Sequence, residues 1–269
     1  MPAPLTAARP DIGPLLRQWR ARRRLSQLDL ALEAGISARH LSFIETGRAR
    51  PSADMVDRLS EALGVPLRER NSLLLAAGFA PAYPERDLDE DAMAPVREAI
   101  ERLLAAHEPY PALVVDRQWE LMAANRAVAV LTAAAAPALL EPPVNVLRLS
   151  LHPEGLAPRI INLAQWGEHI LARLRRQAIA TGDPALFALH DELSSYLPGG
   201  PSHADHDAGM IAVPLRIDTD IGQLSFLSTA THFGTATELT LAELAIEAFH
   251  PADTATAQYM AAAVPPAGG

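Results

Sequence analysis

Two short capped helices around a glycine turn constrain the fold of this chain more than any other feature of its sequence. Ser26 is a typical N-cap residue, and Asp29 three positions later completes a capping box. Gly35 can adopt the positive φ of a sharp turn, and Ser37 caps the helix that follows. Ala31 is small enough for the two helices to cross closely. The stretch therefore predicts a helix-turn-helix.

The same local signals divide the first part of the chain into five helices. The predicted helices run from about Pro14 to Arg23, from Ser26 to Gly35, from Ser37 to Gly47, from Ser52 to Gly64 and from Pro66 to Gly78. Prolines and like charges both resist compact packing, and Pro81, Pro84 and an acidic run follow these helices. The predicted organisation is an all-α domain over residues 1–79, a linker over 80–92 and a second domain over 93–269.

Charge and composition restrict the class of protein. The net charge of −9 is unevenly distributed, because residues 1–80 carry +4 and residues 81–269 carry −13. This asymmetry suits a nucleic-acid-binding module joined to a domain with another task. The absence of cysteine excludes a disulfide-stapled secreted scaffold, and 49% apolar residues exclude a disordered chain. No apolar stretch is long enough to span a membrane, so we expect a cytoplasmic protein with no membrane partner.

The residues around the predicted turn resemble a known family. The order Leu25-Ser26-Gln27, Ala34-Gly35, Leu41, Ile44-Glu45, Gly47-Arg48 and Pro51-Ser52 resembles that of Cro- and repressor-like, or XRE-type, helix-turn-helix regulators over residues 12–78. The resemblance implies a sequence-specific DNA-binding transcription regulator whose third helix enters the major groove of a double-stranded DNA operator. It also implies a homodimer on a near-palindromic site.

The resemblance indicates which side chains contact DNA. Arg39 is expected to read guanine with its planar fork of donors, and Gln27 to hold a phosphate at a helix N-terminus. Arg48 and Arg50 are expected to clamp the DNA backbone. The other candidates, which would face base edges or nearby phosphates, are Ser37, Ala38, His40 and Ser42. His40 is equally compatible with a surface position away from DNA, and Glu45 is expected to bond within the domain. Basic residues ending the first helix are expected to complement its dipole in solvent rather than contact DNA: Arg20, Arg22, Arg23 and Arg24.

The second part of the chain alternates between strand and helix signals. The predicted elements are a helix near residues 95–104, strands at 112–116 and 119–123, a helix capped by Asn125, helices at 161–180 and 184–197, strands at 210–217, 222–230 and 238–249, and a helix at 254–263 capped by Asp253. A hairpin followed directly by a helix begins the PAS fold, and the segment VVDRQWELMAANRAV resembles sensory PAS domains. We therefore expect an α+β PAS-like domain with a five-stranded antiparallel sheet.

A second resemblance covers about residues 95–262. The runs NVLRLSLHP from Asn145 and AFHPAD from Ala248, with Asn162, Trp166 and Leu224-Ser225-Phe226, resemble the MmyB-like ligand-binding domain. The resemblance implies that the domain accepts a small apolar ligand such as a fatty acid, and no other cofactor is expected. Candidate pocket residues are Trp119, Trp166, Ile170, Phe226 and Phe233, with Arg148 and His152 as receivers of a carboxylate. Ordinary core packing, a salt bridge at Arg148 and a turn at His152 are the alternatives.

Other function classes have weaker support in the sequence. The nucleophile elbow, the dinucleotide-binding and phosphate-binding glycine loops and the zinc-protease helix motif are all missing, so we do not expect an enzyme. His203, Asp205, His206 and Asp207 follow a Pro-Gly-Gly-Pro turn, which favours an exposed loop over a weak zinc or nickel site. The alternative function is a ligand-independent DNA-binding adaptor whose acidic second domain recruits a protein partner.

Overall fold

The computed structural model describes residues 11–197, 212–234 and 236–265. These residues divide into two units. Residues 11–85 form the first unit together with residues 237–239, and the other described residues form the second.

Five helices form between residues 11 and 85, as the sequence predicts. They are α1 (Ile12–Arg22), α2 (Gln27–Glu33), α3 (Ala38–Glu45), α4 (Ala53–Ala62) and α5 (Leu67–Ala77). The capping box is present, since Ser26 Oγ accepts from the Asp29 backbone N–H and Asp29 Oδ2 accepts from the Ser26 N–H. Gly78, with a φ of 94°, closes α5 in the left-handed region that favours glycine.

The helices pack around one apolar core. Leu16, Leu30, Leu41, Ile44 and Leu59 are fully buried in it. A close approach between α1 and α3 depends on Gly13. A Cβ atom at that position would lie 2.5 Å from the carbonyl oxygen of Glu45, a distance that real Cβ atoms essentially never show.

The second unit contains a sheet with helices on both faces. Its described helices are α6 (Ala94–Ala106), α7 (Val128–Thr132), α8 (Val146–Leu151), α9 (Leu163–Thr181), α10 (Pro184–Tyr196), α11 (Leu239–Glu243) and α12 (Thr254–Ala263). Its described strands are β1 (Ala112–Val115), β2 (Leu121–Ala124), β3 (Leu215–Thr219), β4 (Gly222–His232) and β5 (Ala245–Pro251).

Among the described residues the strands form one antiparallel sheet in the order β2-β1-β5-β4-β3. One face carries the main core of the unit, to which Leu113, Leu224 and Phe226 contribute. The opposite face carries a smaller cluster in which Val114 and Ile246 pack with residues of α6. Successive residues of β1 thus point to opposite clusters, as the period of two along a strand requires. The expected α+β PAS-like domain with a five-stranded antiparallel sheet is confirmed.

Three local predictions in this unit are wrong. The predicted strand over 238–249 is divided into α11 and β5, because a short apolar run satisfies the burial of either element. The second strand begins at Leu121 rather than at residue 119, because residues 116–119 form the turn. The strand predicted over 210–217 begins at Leu215, and residues 210 and 211 lie outside the described part of the chain.

Asn125 does not cap the helix after the hairpin, and this is a fourth wrong local prediction in the unit. The residue preceding α7 is Ala127, and it makes no side-chain cap. The Asn125 side chain is instead buried and accepts from the Ala112 N–H. Its amide also donates to the carbonyl oxygens of Leu104 and Tyr110. Asn125 therefore joins α6 to the hairpin.

Candidate functional site

The N-terminal half of α3 presents the side chains expected to meet DNA. Ser37 caps the helix, with its Oγ accepting from the His40 N–H at 3.1 Å. Arg39 is exposed, and its guanidinium lies 5.4 Å from the centre of the Phe43 ring. His40 and Ser42 are half-buried. Arg39 thus has its planar donors near solvent and its orientation restricted by an aromatic ring.

A buried carboxylate organises the start of α2. Glu45 is 1% exposed and accepts from Arg20 Nε at 2.8 Å and from Arg20 Nη2 at 3.0 Å. Gln27 Nε2 donates to Glu45 Oε2 at 2.7 Å. Glu45 therefore bonds within the domain, as expected. The Gln27 amide is held in place while its other N–H and its oxygen stay available.

The basic residues near the helices separate into two sets. Arg20 and Arg23 bond within the unit, because Arg20 pairs with Glu45 and Arg23 donates to the carbonyl oxygens that end α4. This corrects the expectation that both remain solvated. Arg48 and Arg50 are exposed just beyond α3. Together with Arg39 they place three exposed guanidinium groups within twelve residues, a pattern that suits phosphate and guanine contacts.

The second unit contains a partly open cavity of about 190 Å³. Apolar side chains from β1, β2, α7, α8 and α9 form most of its wall, among them Leu113, Leu147 and Ile170. An engineered apolar cavity of about 150 Å³ holds benzene, so this one has room for a ligand of at least that size.

The turn between β1 and β2 aims an indole ring at the cavity. Asp116 Oδ1 accepts from the backbone N–H groups of Gln118 and Glu120 at 2.8 Å each. Trp119 then adopts a φ of 68°, which costs a residue other than glycine about 1–3 kcal/mol. Its indole N–H donates to Gln177 Oε1 at 2.8 Å, and its ring lines the cavity. Several hydrogen bonds thus hold the strained turn in place.

An ion pair contributes to the otherwise apolar wall. Arg173 Nη1 donates to Glu247 Oε2 at 2.9 Å, and Nη2 donates to Oε1 at 2.5 Å. The Glu247 side chain is 6% exposed and that of Arg173 is 29% exposed. The Arg173 guanidinium also lies 4.6 Å from the centre of the Trp119 ring. The pair is bidentate and largely withdrawn from water.

His169 is the third ionisable side chain of the wall. Its ring stacks on Trp166 with centres 5.7 Å apart, and the Trp166 indole N–H donates to Ser150 Oγ at 3.0 Å. Burial lowers the pKa of His169, the charges of Arg173 and Arg176 lower it further, and Glu247 opposes them. His169 is therefore mainly uncharged at neutral pH.

Comparison with known proteins agrees with this geometry. Residues 96–263 match the family model of the MmyB-like transcription regulator ligand binding domain. The chain belongs to this family. Residues 16–70 of this MmyB-like regulator also match a helix-turn-helix model. The chain therefore combines a helix-turn-helix domain with a ligand-binding domain of the MmyB-like transcription regulator type.

A curated relative comes from Bacillus subtilis (strain 168). It is the uncharacterized HTH-type transcriptional regulator RghRB, 34% identical over 103 residues. The match covers 38% of this MmyB-like regulator and 66% of the relative, so the chain spans just under two thirds of that relative's length.

Three of the seven predicted ligand residues of the MmyB-like regulator line the cavity. They are Trp119, Trp166 and Ile170. Phe226 is fully buried in the main core, and Phe233 packs on the opposite face of the sheet. Neither is part of the cavity wall.

The two predicted carboxylate receivers lie in a separate cluster. Arg148 donates to both oxygens of Glu192, at 2.6 and 2.9 Å, which with a Tyr196 hydrogen bond lowers the pKa of Glu192 to about 2. His152 Nδ1 accepts from the Glu154 N–H, and its ring packs against Tyr196. Neither Arg148 nor His152 belongs to the cavity wall.

Sequence reasoning missed the polar side chains of the wall. Arg173 and His169 lie seven and three residues after Trp166, so helical spacing already places them on the same face. Glu247 lies two positions from both Ala245 and Phe249 in β5, and residues two apart in a strand share one face of the sheet. These spacings were the available signal.

Two further observations concern metal and membrane. The candidate cluster of His203, Asp205, His206 and Asp207 lies outside the described residues. Elsewhere, across residues 11–197, 212–234 and 236–265, no group of three acidic, histidine or cysteine side chains is arranged to hold a metal ion. No helix in that part of the chain is long and apolar enough to cross a membrane.

Proposed function

We propose that this MmyB-like regulator binds a double-stranded DNA operator as a homodimer and that a small, mainly apolar ligand controls its operator affinity. The observation that carries the proposal is that one chain holds both an exposed recognition helix and a cavity with a mainly apolar wall. We further infer that the regulator acts in the cytoplasm and that it senses its ligand without converting it.

The DNA contacts are assigned to side chains at the start of α2, along α3 and just beyond α3. Arg39 is assigned to guanine, with Ser37, Ala38, His40 and Ser42 beside it at the groove. Gln27, held by Glu45, is assigned to a phosphate at the N-terminus of α2. Arg48 and Arg50 are assigned to the DNA backbone. Because one such module reads only a short half-site, two copies are needed for affinity.

Fluorescence anisotropy with labelled operator DNA tests these contacts. Arg39→Ala is expected to weaken operator binding by about 1–3 kcal/mol, or roughly 5- to 150-fold, and to relax base preference at one position. Arg50→Ala is expected to weaken all sequences alike and to reduce the salt slope by about one. Arg102→Ala, an exposed arginine of α6 with the same charge change, is the control and should alter neither property.

Unchanged base preference and equal salt slopes in the Arg39 and Arg50 variants would remove the support for this interface. Sedimentation of the protein with full and half operators tests the dimer. A stable complex of one chain with a half-site, of the same affinity as on the full site, contradicts it.

Ligand control requires a difference in affinity between two states. A ligand shifts operator binding only as far as it binds one arrangement of the two DNA-binding units better than another. A fatty acid is the candidate that the family resemblance implies. Native mass spectrometry of the purified protein, followed by solvent extraction, identifies a bound molecule.

The extracted molecule is then added back to ligand-free protein during operator titration. A change in operator affinity supports the sensor. An unchanged affinity with a filled cavity contradicts it, and an empty cavity with full operator binding favours the adaptor that recruits a protein partner.

A further inference from the structure

The charged groups of the cavity wall balance one another. Arg173 of α9 carries one positive charge and Glu247 of β5 one negative charge, and the two are joined by a bidentate contact. His169 is mainly uncharged at neutral pH, and Arg176, which also acts on its pKa, is exposed. The polar part of the wall is therefore close to neutral before any ligand enters.

A carboxylate ligand would disturb this balance. Among the described residues of the wall, Arg173 is its only positively charged partner at neutral pH, and the two terminal nitrogens of Arg173 already donate to Glu247. A second carboxylate beside Arg173 would lie close to a first one that is 6% exposed. Two carboxylates held side by side repel each other, and this repulsion opposes binding of the anion.

An uncharged head fits the same groups without that cost. The remaining N–H groups of the Arg173 guanidinium can donate to a carbonyl or hydroxyl oxygen. The Glu247 oxygens and His169 can accept from an N–H or O–H. A primary amide or an alcohol offers both functions and adds no charge.

On the basis of the proposed ligand cavity, we propose that it selects apolar molecules with an uncharged hydrogen-bonding head over the carboxylate anion of the same chain length. Glu247 is the residue that determines this specificity, because it neutralises the guanidinium that a carboxylate would otherwise bind. The ligand class is therefore a short-chain to medium-chain amide or alcohol.

Intrinsic fluorescence provides the readout in the full-length protein. Of the three tryptophans in the chain, Trp119 and Trp166 line the cavity, whereas Trp19 is buried in the first unit. Titrations at pH 8 compare octanamide and 1-octanol with sodium octanoate, whose carboxyl group is ionised in solution. The amide and the alcohol are expected to bind at least tenfold more tightly than octanoate.

Glu247→Gln tests the cause of the preference. The substitution keeps the shape of the side chain and releases Arg173 from its anion, so octanoate binding is expected to rise at least tenfold relative to octanamide binding to the same variant. Glu192→Gln is the matched control, because it removes the acid of another bidentate Arg–Glu pair, Arg148–Glu192, outside the cavity wall. It should leave the preference unchanged.

A double variant separates charge from folding effects. With Arg173→Gln and Glu247→Gln together, the wall has neither charge, and octanoate is expected to bind no better than in the wild type. If the double variant gains octanoate affinity as Glu247→Gln does, the released guanidinium is not the cause and the proposal is overturned.

The outcomes also distinguish this inference from the function on which it rests. Tighter binding of octanoate than of octanamide to the wild type overturns the head-group preference and leaves the ligand cavity intact. No fluorescence change with octanamide, octanol or octanoate overturns the cavity as a ligand site and this inference with it. The wild-type comparison decides the preference even if Glu247→Gln fails to fold.

Discussion

Replacing Glu45 by Gln tests how the helix-turn-helix unit is held together. Glu45 is 1% exposed and accepts two hydrogen bonds from Arg20 and one from Gln27. The substitution keeps the side-chain shape but removes the charge that balances Arg20. Breaking a buried ion pair costs about 3–5 kcal/mol. Because the Arg20 side chain is 18% exposed, water compensates part of this loss, and we expect a decrease of about 3 kcal/mol in unfolding free energy.

Hydrogen exchange measured by mass spectrometry resolves this effect in the full-length protein. The slowest amides of α1 and α3 report the opening of the first unit, and about 3 kcal/mol corresponds to exchange roughly 150-fold faster. The second unit should keep its wild-type exchange rates.

An exposed pair of the same chemistry provides the control. Arg68 and Glu85 also form a bidentate contact, but their side chains are 26% and 56% exposed. Glu85→Gln is therefore expected to cost less than about 1 kcal/mol. The reasoning is refuted if Glu45→Gln accelerates exchange less than fivefold, or if Glu85→Gln has an equal effect.

Four further substitutions, of which Gly167→Ala is a control, test other parts of the structure. Gly13→Ala gains up to about 1 kcal/mol in helix propensity but forces a Cβ atom against the backbone of Glu45, so chemical denaturation should give a net loss of about 1–2 kcal/mol. Gly167→Ala meets only the end of a leucine side chain, and its net effect should stay within about 1 kcal/mol. Asn125→Ala leaves the Ala112 N–H and the Tyr110 carbonyl without this partner, while the Leu104 carbonyl keeps the His107 N–H, and it should cost about 2–3 kcal/mol in the same assay. An effect below about 0.5 kcal/mol would contradict the assigned role of Asn125. The pKa of Glu192 is lowered from 4.5 to about 2 in the folded protein, so its contribution to stability is present above pH 4.5 and is lost as pH falls towards 2. The difference in melting temperature between the wild type and Glu192→Gln should therefore shrink over that pH range. A difference that does not vary with pH would show that the Arg148–Glu192 pair does not stabilise the fold.

The helices of the helix-turn-helix unit were predictable because their signals are local. The Ser26 capping box and the Ser37 cap act within three residues, and both are present. Gly13 carries no comparable signal. Its importance arises from a carbonyl oxygen of α3, 32 positions further along the chain, which approaches it only after the helices pack.

The sequence predicted the fold class of the second unit, but it did not predict every helix and strand. The hairpin, the long helices and the return to strands led to the correct sheet. The segment over 238–249 was predicted incorrectly because its apolar residues suit a strand and a short helix equally well. Asparagine is a typical helix N-cap residue, but the Asn125 side chain makes its hydrogen bonds with α6 and β1 instead.

By itself, the sequence determined the helix-turn-helix, the succession of hairpin, long helices and returning strands in the second unit, and the apolar residues Trp119, Trp166 and Ile170 of the cavity. Caps, turn residues and hydrophobic period act over a few positions, so they can be read along the chain. Only the tertiary structure decided which charges meet. Arg173 and Glu247 are 74 residues apart, and they pair because α9 crosses the face of the sheet to which β5 contributes. Ion pairing depends on distance and burial in space, and neither is encoded in local spacing.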